Sequence, residues 1–136
     1  MGDFMRLKTM FAFAMTIIAS ACQTVESPPI QTTPYQLNAD EVKAVQQGVR
    51  NSLKDPTSAI FGENFSAAQK DPGIVYVCGT VNAKNSFGGY VGNQPFLGLL
   101  ATTKDGKVAT FNVVSMGGTD TDTEVTMDMC HRYGVI

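Results

Sequence analysis

Several residue types that mark common functional classes are scarce in this chain or absent from it. There is no tryptophan and only one histidine, His131, so a catalytic triad or a histidine-based metal site would have to use that single ring. No Cys-x-x-Cys pair and no Gly-x-x-x-x-Gly-Lys-Ser/Thr loop occurs, which argues against thiol redox and nucleotide chemistry. Lys and Arg form no stripe or cluster, and the chain therefore lacks the electrostatic signature of a nucleic-acid binder.

The N-terminus lacks an apolar run of the roughly 20 residues that a membrane-spanning helix needs. Its short apolar run, residues 10–19, contains no charge, follows Arg6 and Lys8, and leads through small residues to Cys22. This order is typical of a secretory signal. It also resembles a bacterial lipobox, although Ala19 stands where that pattern prefers Leu, Val or Ile. We therefore predict a lipoprotein signal at 1–21 and acylation of Cys22, with Met1 and Met5 both open as the start.

Removing the predicted signal leaves 115 of the 136 residues, enough for one domain. Residues 22–37 contain three prolines among polar residues and predict an extended tether, so that the domain covers 38–136. Gln23 follows the cysteine, where an Asp would retain an enteric lipoprotein at the inner membrane. The resemblance to lipoproteins therefore implies outer-membrane anchoring, for which several acyl chains would be sufficient.

Two cysteines remain once Cys22 is lipidated, namely Cys78 and Cys130. In an exported chain such a pair normally closes into a disulfide. Two separate buried thiols are the alternative. We predict no cofactor and no metal.

A capped helix is predicted at the start of the domain. Asn38 and Glu41 have the spacing of a capping box, and an apolar stripe follows at helical spacing, formed by Val42, Val45, Val49 and Leu53. Asp55-Pro56 should end this helix. Residues 57–61 are expected to make one further turn that returns Ile60 and Phe61 to the core.

Strand patterns dominate the middle of the chain. Residues 74–81, 97–103 and 108–114 are rich in β-branched or apolar residues, and Asp105-Gly106 is typical of a hairpin turn. Pro95 cannot donate to a ladder, which places the strand start after it. Residues 123–133 favour a short helix over a strand because Asp122, Thr123 and Glu124 suit the N-terminus of a helix. The fold class predicted is α+β, with the N-terminal helix on a small, mainly antiparallel sheet, a C-terminal helix and one disulfide.

The most unusual segment is 81–92, which combines dense glycine with a single charge. Its side chains suit either a rigid loop presented to a ligand or a wide hairpin whose aromatic rings cap the core. The candidate binding residues are Asn82, Lys84, Asn85, Phe87 and Tyr90.

Two motifs in this region, LKDPTSAIF at 53–61 and VCGTVNAKNSFGGYVG at 77–92, resemble a group of small exported bacterial proteins. The resemblance covers about residues 45–97. It implies the limits of the domain and brings no biochemical activity with it.

Two further candidate sites, for calcium binding and for catalysis, are less well supported by the sequence. Asp120, Asp122 and Glu124 resemble the start of a calcium loop, but Val125 stands where that loop needs glycine and His131 where it needs glutamate. An acidic segment that leads a helix is the simpler interpretation. His131 could serve a small hydrolase, although it lies in no catalytic motif.

These observations predict a non-catalytic envelope lipoprotein whose domain binds a protein or another envelope component. A small periplasmic hydrolase that uses His131 is the alternative. A structural spacer without a specific ligand is the third.

Overall fold

The fold is a six-stranded sheet with one helix on each face, seen in a computed structural model that describes residues 28, 30–103, 105 and 107–136. The predicted signal and Cys22 lie outside the described residues. The elements in chain order are β1 Thr33–Pro34, α1 Ala39–Asn51, a short 3-10 turn Pro56–Ser58, β2 Ile60–Phe61, β3 Ser66–Asp71, β4 Ile74–Asn82, β5 Gln94–Thr102, β6 Val108–Met116 and α2 Asp120–Arg132. The predicted α+β class is confirmed.

The sheet is antiparallel at every pairing, in the order β1-β3-β4-β5-β6, with β2 paired to the end of β4. The predicted hairpin of β5 and β6 is confirmed, although part of its turn lies outside the described residues. Three of the six strands were not predicted. Pro95 lies inside β5, opposite Thr80, and its carbonyl accepts a hydrogen bond from Gly117 N–H at 2.8 Å, so the expected strand start after Pro95 is wrong.

Alternating side chains divide β4 between two cores. Val75, Val77 and Val81 face α1 and pack with its buried Val45 and Val49. On this side Gly98 in β5 makes room for a ring, because a Cβ at that position would lie 2.0 Å from Phe111 Cζ. The main core therefore lies between α1 and the sheet.

The opposite face of the sheet carries a smaller core under α2. Cys78 of β4 is bonded to Cys130 of α2, with their Cα atoms 6.3 Å apart, which confirms the predicted disulfide. Leu97 is buried beside this disulfide, and Tyr76 stacks on Tyr133 with ring centroids 4.2 Å apart. The disulfide thus joins the C-terminal helix to the centre of the sheet.

Local chemistry explains where both helices begin. Asn38 Oδ1 accepts from Glu41 N–H at 3.0 Å while Glu41 Oε2 accepts from Asn38 N–H at 2.8 Å, so the predicted capping box is present. Thr119 caps α2 by accepting from Asp122 N–H, which confirms the predicted helix and extends it to Asp120. Among the described residues, no helix has the length and apolarity to cross a bilayer.

Two predictions around α1 need correction. The helix ends at Asn51, before Asp55-Pro56, and Asp55 instead caps the short 3-10 turn. Residues 60 and 61 form β2 rather than a helical turn. Because neighbouring strand residues point to opposite faces, only Phe61 packs against the core, and Ile60 is 56% exposed.

The described part of the predicted tether packs on the domain. Thr33 and Pro34 pair with Gln69 and Ala68 of β3, and the Thr32 hydroxyl donates to the carbonyl of Tyr133 at 3.0 Å. Residues 30–37 therefore belong to the folded part of the chain.

Candidate functional site

The connection between β4 and β5 is a closed, internally bonded loop. Lys84 and Tyr90 form an isolated antiparallel bridge, and Val91 N–H donates to the carbonyl of Ala83 at 3.3 Å. Above this bridge, Asn85 N–H donates to the carbonyl of Gly89 at 2.9 Å. The segment is thus a small hairpin with its tip at residues 85–89.

Two asparagine side chains hold the backbone of this hairpin. Asn85 Oδ1 accepts from the N–H groups of Phe87 at 2.9 Å and Gly89 at 3.2 Å, as in an Asx turn. Asn82 Oδ1 accepts from Gly92 N–H at 3.0 Å. Both residues were predicted to contribute to a binding loop, and in the structure their amide oxygens also shape that loop.

The base of the loop is bonded to the segment after α1. Lys84 N–H donates to Ser58 Oγ at 2.8 Å, and the same hydroxyl donates to the carbonyl of Asp55 at 2.9 Å. Ile60 and Phe61 pair with Asn82 and Val81. The two sequence motifs at 53–61 and 77–92 are therefore one structural unit, a relationship that was not predicted.

Asp55 lies at this junction as an acceptor. Its carboxylate accepts from Thr57 Oγ1 at 2.7 Å and from Thr57 N–H at 3.1 Å. The hydrogen bond from the Thr57 hydroxyl is the main reason that the pKa of Asp55 is lowered, and the charge of Lys84 acts in the same direction. Asp55 therefore stays ionised and positions the turn that carries Ser58.

The aromatic side chains of the loop lie outside the core. Phe87 is 98% exposed, and Tyr90 and Val91 are each 49% exposed. The Lys84 ammonium lies 5.5 Å from the centroid of the Tyr90 ring, within cation–π range. The alternative in which the aromatic rings cap the core does not hold for Phe87. We call Lys84, Phe87, Tyr90 and Val91 the loop surface.

A cavity of about 320 Å³ lies beside the loop surface. It is open to solvent on one side and is lined by the chain after α1, the end of β4, the loop and the end of β6, with apolar walls of Leu53, Val81, Ala83, Val91 and Met116. Lys54 and Lys84 also line it. We call it the loop cavity.

The remaining predicted candidates lie apart from this unit. His131 is exposed near the C-terminus, and its Nδ1 is 3.1 Å from the carbonyl oxygen of Ile136. Asp120 and Asp122 are in the first turn of α2, where carboxylates favour the positive end of the helix dipole. Within the described ranges, no group of three His, Cys, Asp or Glu side chains is arranged to hold a metal ion.

No protein-family model, no curated protein and no solved structure matches this chain. The resemblance of its two motifs to small exported bacterial proteins therefore stays a prediction.

Proposed function

We propose that this protein is a lipid-anchored lipoprotein of the bacterial envelope whose domain binds a protein partner through the loop surface. The observation that carries the proposal is the 98% exposure of Phe87. The binding role is non-catalytic, and the anchor is the acylated Cys22 at the outer membrane.

The exposure of Phe87 is unfavourable unless something covers the ring. Burying a phenylalanine side chain stabilises a protein or a complex by roughly 1.5–3 kcal/mol. Single apolar side chains are common on protein surfaces, but Phe87 has Tyr90 and Val91 nearby in the same hairpin, each about half exposed. Aromatic residues, phenylalanine and tyrosine among them, are enriched at protein interfaces relative to the rest of the surface.

The hydrogen bonds of the loop favour binding because they reduce its entropic cost. Ordering a flexible loop upon association consumes part of the binding free energy. Here Asn85 already fixes the backbone on both sides of Phe87 by accepting from Phe87 N–H and Gly89 N–H. The ring is thus presented by a preorganised backbone.

The position of the loop favours a partner away from the anchoring membrane. β4 reaches the loop at Asn82, so its start at Ile74 marks the opposite end of the sheet. Thr33 pairs with Gln69, which pairs with Val75, and β1 runs from the Ile74 end toward the loop end. The chain therefore enters the domain at the end opposite the loop.

The tether between lipid and domain is short. Cys22 and Ile30 are eight positions apart, a span of at most about 29 Å. Ile30 N–H donates to the carbonyl of Arg132 at 3.2 Å, which fixes the point at which the chain joins the domain. A lipid on Cys22 would hold this end near the bilayer and direct Phe87 away from it, and for this reason we favour a protein partner over the membrane surface.

The anchor is tested by the intact mass of the protein from the membrane fraction, alkylated with and without prior reduction. We expect a chain that begins at Cys22, carries acyl groups and takes up two alkyl groups only after reduction. A chain without acyl groups would refute the anchor and leave the proposed loop interaction to be tested separately.

The partner is tested by crosslinking the full-length lipid-anchored protein in bacterial cells and comparing Phe87→Ala with Val125→Ala. Val125 is a matched control because it is an exposed apolar residue, 50% accessible, on α2. Phe87→Ala should lower capture of a discrete partner at least tenfold, and Val125→Ala should retain it. If Phe87→Ala retains capture, or unfolds the domain, the proposed role of the loop surface is refuted.

A further inference from the structure

We infer that the loop cavity binds a small carboxylate with an apolar tail, specifically a medium-chain alkyl carboxylate. This site shares Lys84 and Val91 with the loop surface but does not include Phe87, and its test does not depend on the partner proposed for Phe87.

The walls of the cavity favour a ligand with an apolar body. Leu53, Val81, Ala83, Val91 and Met116 line it, and its volume of about 320 Å³ is in the range of small-molecule sites. Val81 and Ala83 are buried, so the floor belongs to the packed core. An alkyl chain would gain favourable burial against these groups.

The charges at the cavity select an anionic head group. Lys54 and Lys84 are the charged residues among those that line it, and no carboxylate does. The three ion pairs found in the described part of the chain, Lys43–Asp40, Lys107–Asp105 and Arg132–Asp128, leave these two lysines out. Two cations beside an apolar cavity complement one carboxylate on an apolar chain.

The neighbouring Asp55 does not neutralise this pair of lysines by direct contact. Its carboxylate accepts both hydrogen bonds from Thr57. Lys84 is half-buried beside the ring of Tyr90, where solvent screens its charge less than at an open surface. Lys84 is therefore the main contact for the carboxylate, and Lys54 assists from the chain after α1.

Two other cavities fit such a ligand less well. One of about 330 Å³ beside Tyr35 and Val42 contains Glu63, whose charge would repel an anion. The other, near the disulfide, holds only about 160 Å³. Of the three cavities, only the loop cavity combines two lysines with apolar walls and has no carboxylate in its lining.

The test is an NMR titration of the ¹⁵N-labelled chain from Gln23 onward, which keeps every contact described above. Octanoate is the probe, with octylamine and N-acetyl-leucine as comparisons of charge and of peptide-like chemistry. Octanoate should shift the amide signals of Ala83, Lys84, Val91 and Gly117. Octylamine, which has the same tail and the opposite charge, should bind at least tenfold more weakly.

Substitutions of the two lysines test whether their charges cause octanoate to bind. Lys84→Gln and Lys54→Gln should each weaken octanoate roughly threefold to tenfold, as expected for partly exposed charge contacts. Lys70→Gln is the control, since Lys70 is an exposed lysine of β3 that does not line the cavity. Val91→Asp, which adds a carboxylate to the half-exposed wall, should abolish octanoate binding without disturbing the core.

Three outcomes would overturn the inference. Equal binding of octylamine and octanoate would show that the cavity is apolar but does not discriminate between an anionic and a cationic head group. Octanoate shifts that survive Val91→Asp would place the ligand elsewhere. Binding of N-acetyl-leucine but not of octanoate would assign the cavity to a peptide terminus instead.

Discussion

The backbone N–H of Lys84 donates to the hydroxyl of Ser58 at 2.8 Å, across 26 residues of chain. This hydrogen bond joins the loop surface to the short turn that Asp55 caps. It lets the stability of the loop be tested apart from its contacts with other molecules.

Ser58→Ala should destabilise the domain by about 1 kcal/mol, because the half-buried Lys84 N–H would lose its acceptor. For a domain of this size the melting temperature should fall by roughly 4–8 °C. Ser86→Ala is the control, since Ser86 is exposed at the loop tip. Equal melting temperatures for the two variants, measured by circular dichroism, would show that the Ser58 contact contributes little.

Asn85→Ala should leave the core intact and loosen the tip of the loop. The N–H groups of Phe87 and Gly89 lose their common acceptor, so their hydrogen exchange should accelerate while exchange in β4 stays slow. Asn85→Asp keeps an acceptor oxygen and should restore most of the protection. Unchanged exchange in Asn85→Ala would mean that the hairpin is held by its backbone bonds alone.

Tyr35→Phe should destabilise the domain by about 1–2 kcal/mol at neutral pH, because the buried Glu41 carboxylate accepts from the Tyr35 hydroxyl at 2.8 Å. This hydrogen bond is the main cause of the raised pKa of Tyr35, with burial second. A raised pKa means that the folded state holds the proton more tightly than the unfolded chain does. Its contribution to stability is therefore complete below about pH 10 and lost as pH rises further.

Tyr76→Phe is the matched comparison for this prediction. The pKa of Tyr76 is raised chiefly by burial, and phenylalanine keeps the stack on Tyr133. Urea unfolding at pH 7 should therefore show a loss for Tyr35→Phe and little change for Tyr76→Phe. The same loss in both variants would contradict a specific role for the bond to Glu41.

Replacing Cys78 and Cys130 by alanine should lower the free energy of unfolding by about 4 kcal/mol, the chain-entropy value for a separation of 52 residues. The loss of local stability should be largest in α2, because the core beneath this helix is small. Reduction of the unmodified protein by dithiothreitol should lower its urea midpoint similarly. If reduction does not shift the urea midpoint, the disulfide does not contribute to the stability of the domain.

Local chemistry made part of this fold predictable. The capping box of Asn38 and Glu41, the hairpin of β5 and β6 and the Cys78–Cys130 pair each follow from short patterns or from residue counts. By contrast, β3 has only Ala68 buried among its six residues, so it lacks an apolar pattern. The docking of Thr32 on Tyr133 spans 101 residues, and no local signal encodes it.

The candidate site was predictable in composition but not in geometry. The loop residues stood out because of their glycines and aromatic rings, and two interpretations of those rings were open. Phe87 proved exposed because Asn85 folds the tip away from the core, a side-chain use that composition cannot reveal. The contact of Ser58 with Lys84 likewise depends on the pairing of β2 with β4.

The central claim is that Phe87 touches a partner in the envelope. A photo-crosslinking amino acid placed at position 87 of the full-length lipid-anchored protein, and separately at position 125, tests it in intact cells. We predict one discrete adduct from position 87, none of that mass from position 125, and loss of the adduct upon Tyr90→Ala. No adduct from position 87, or the same adducts from both positions, would contradict the claim.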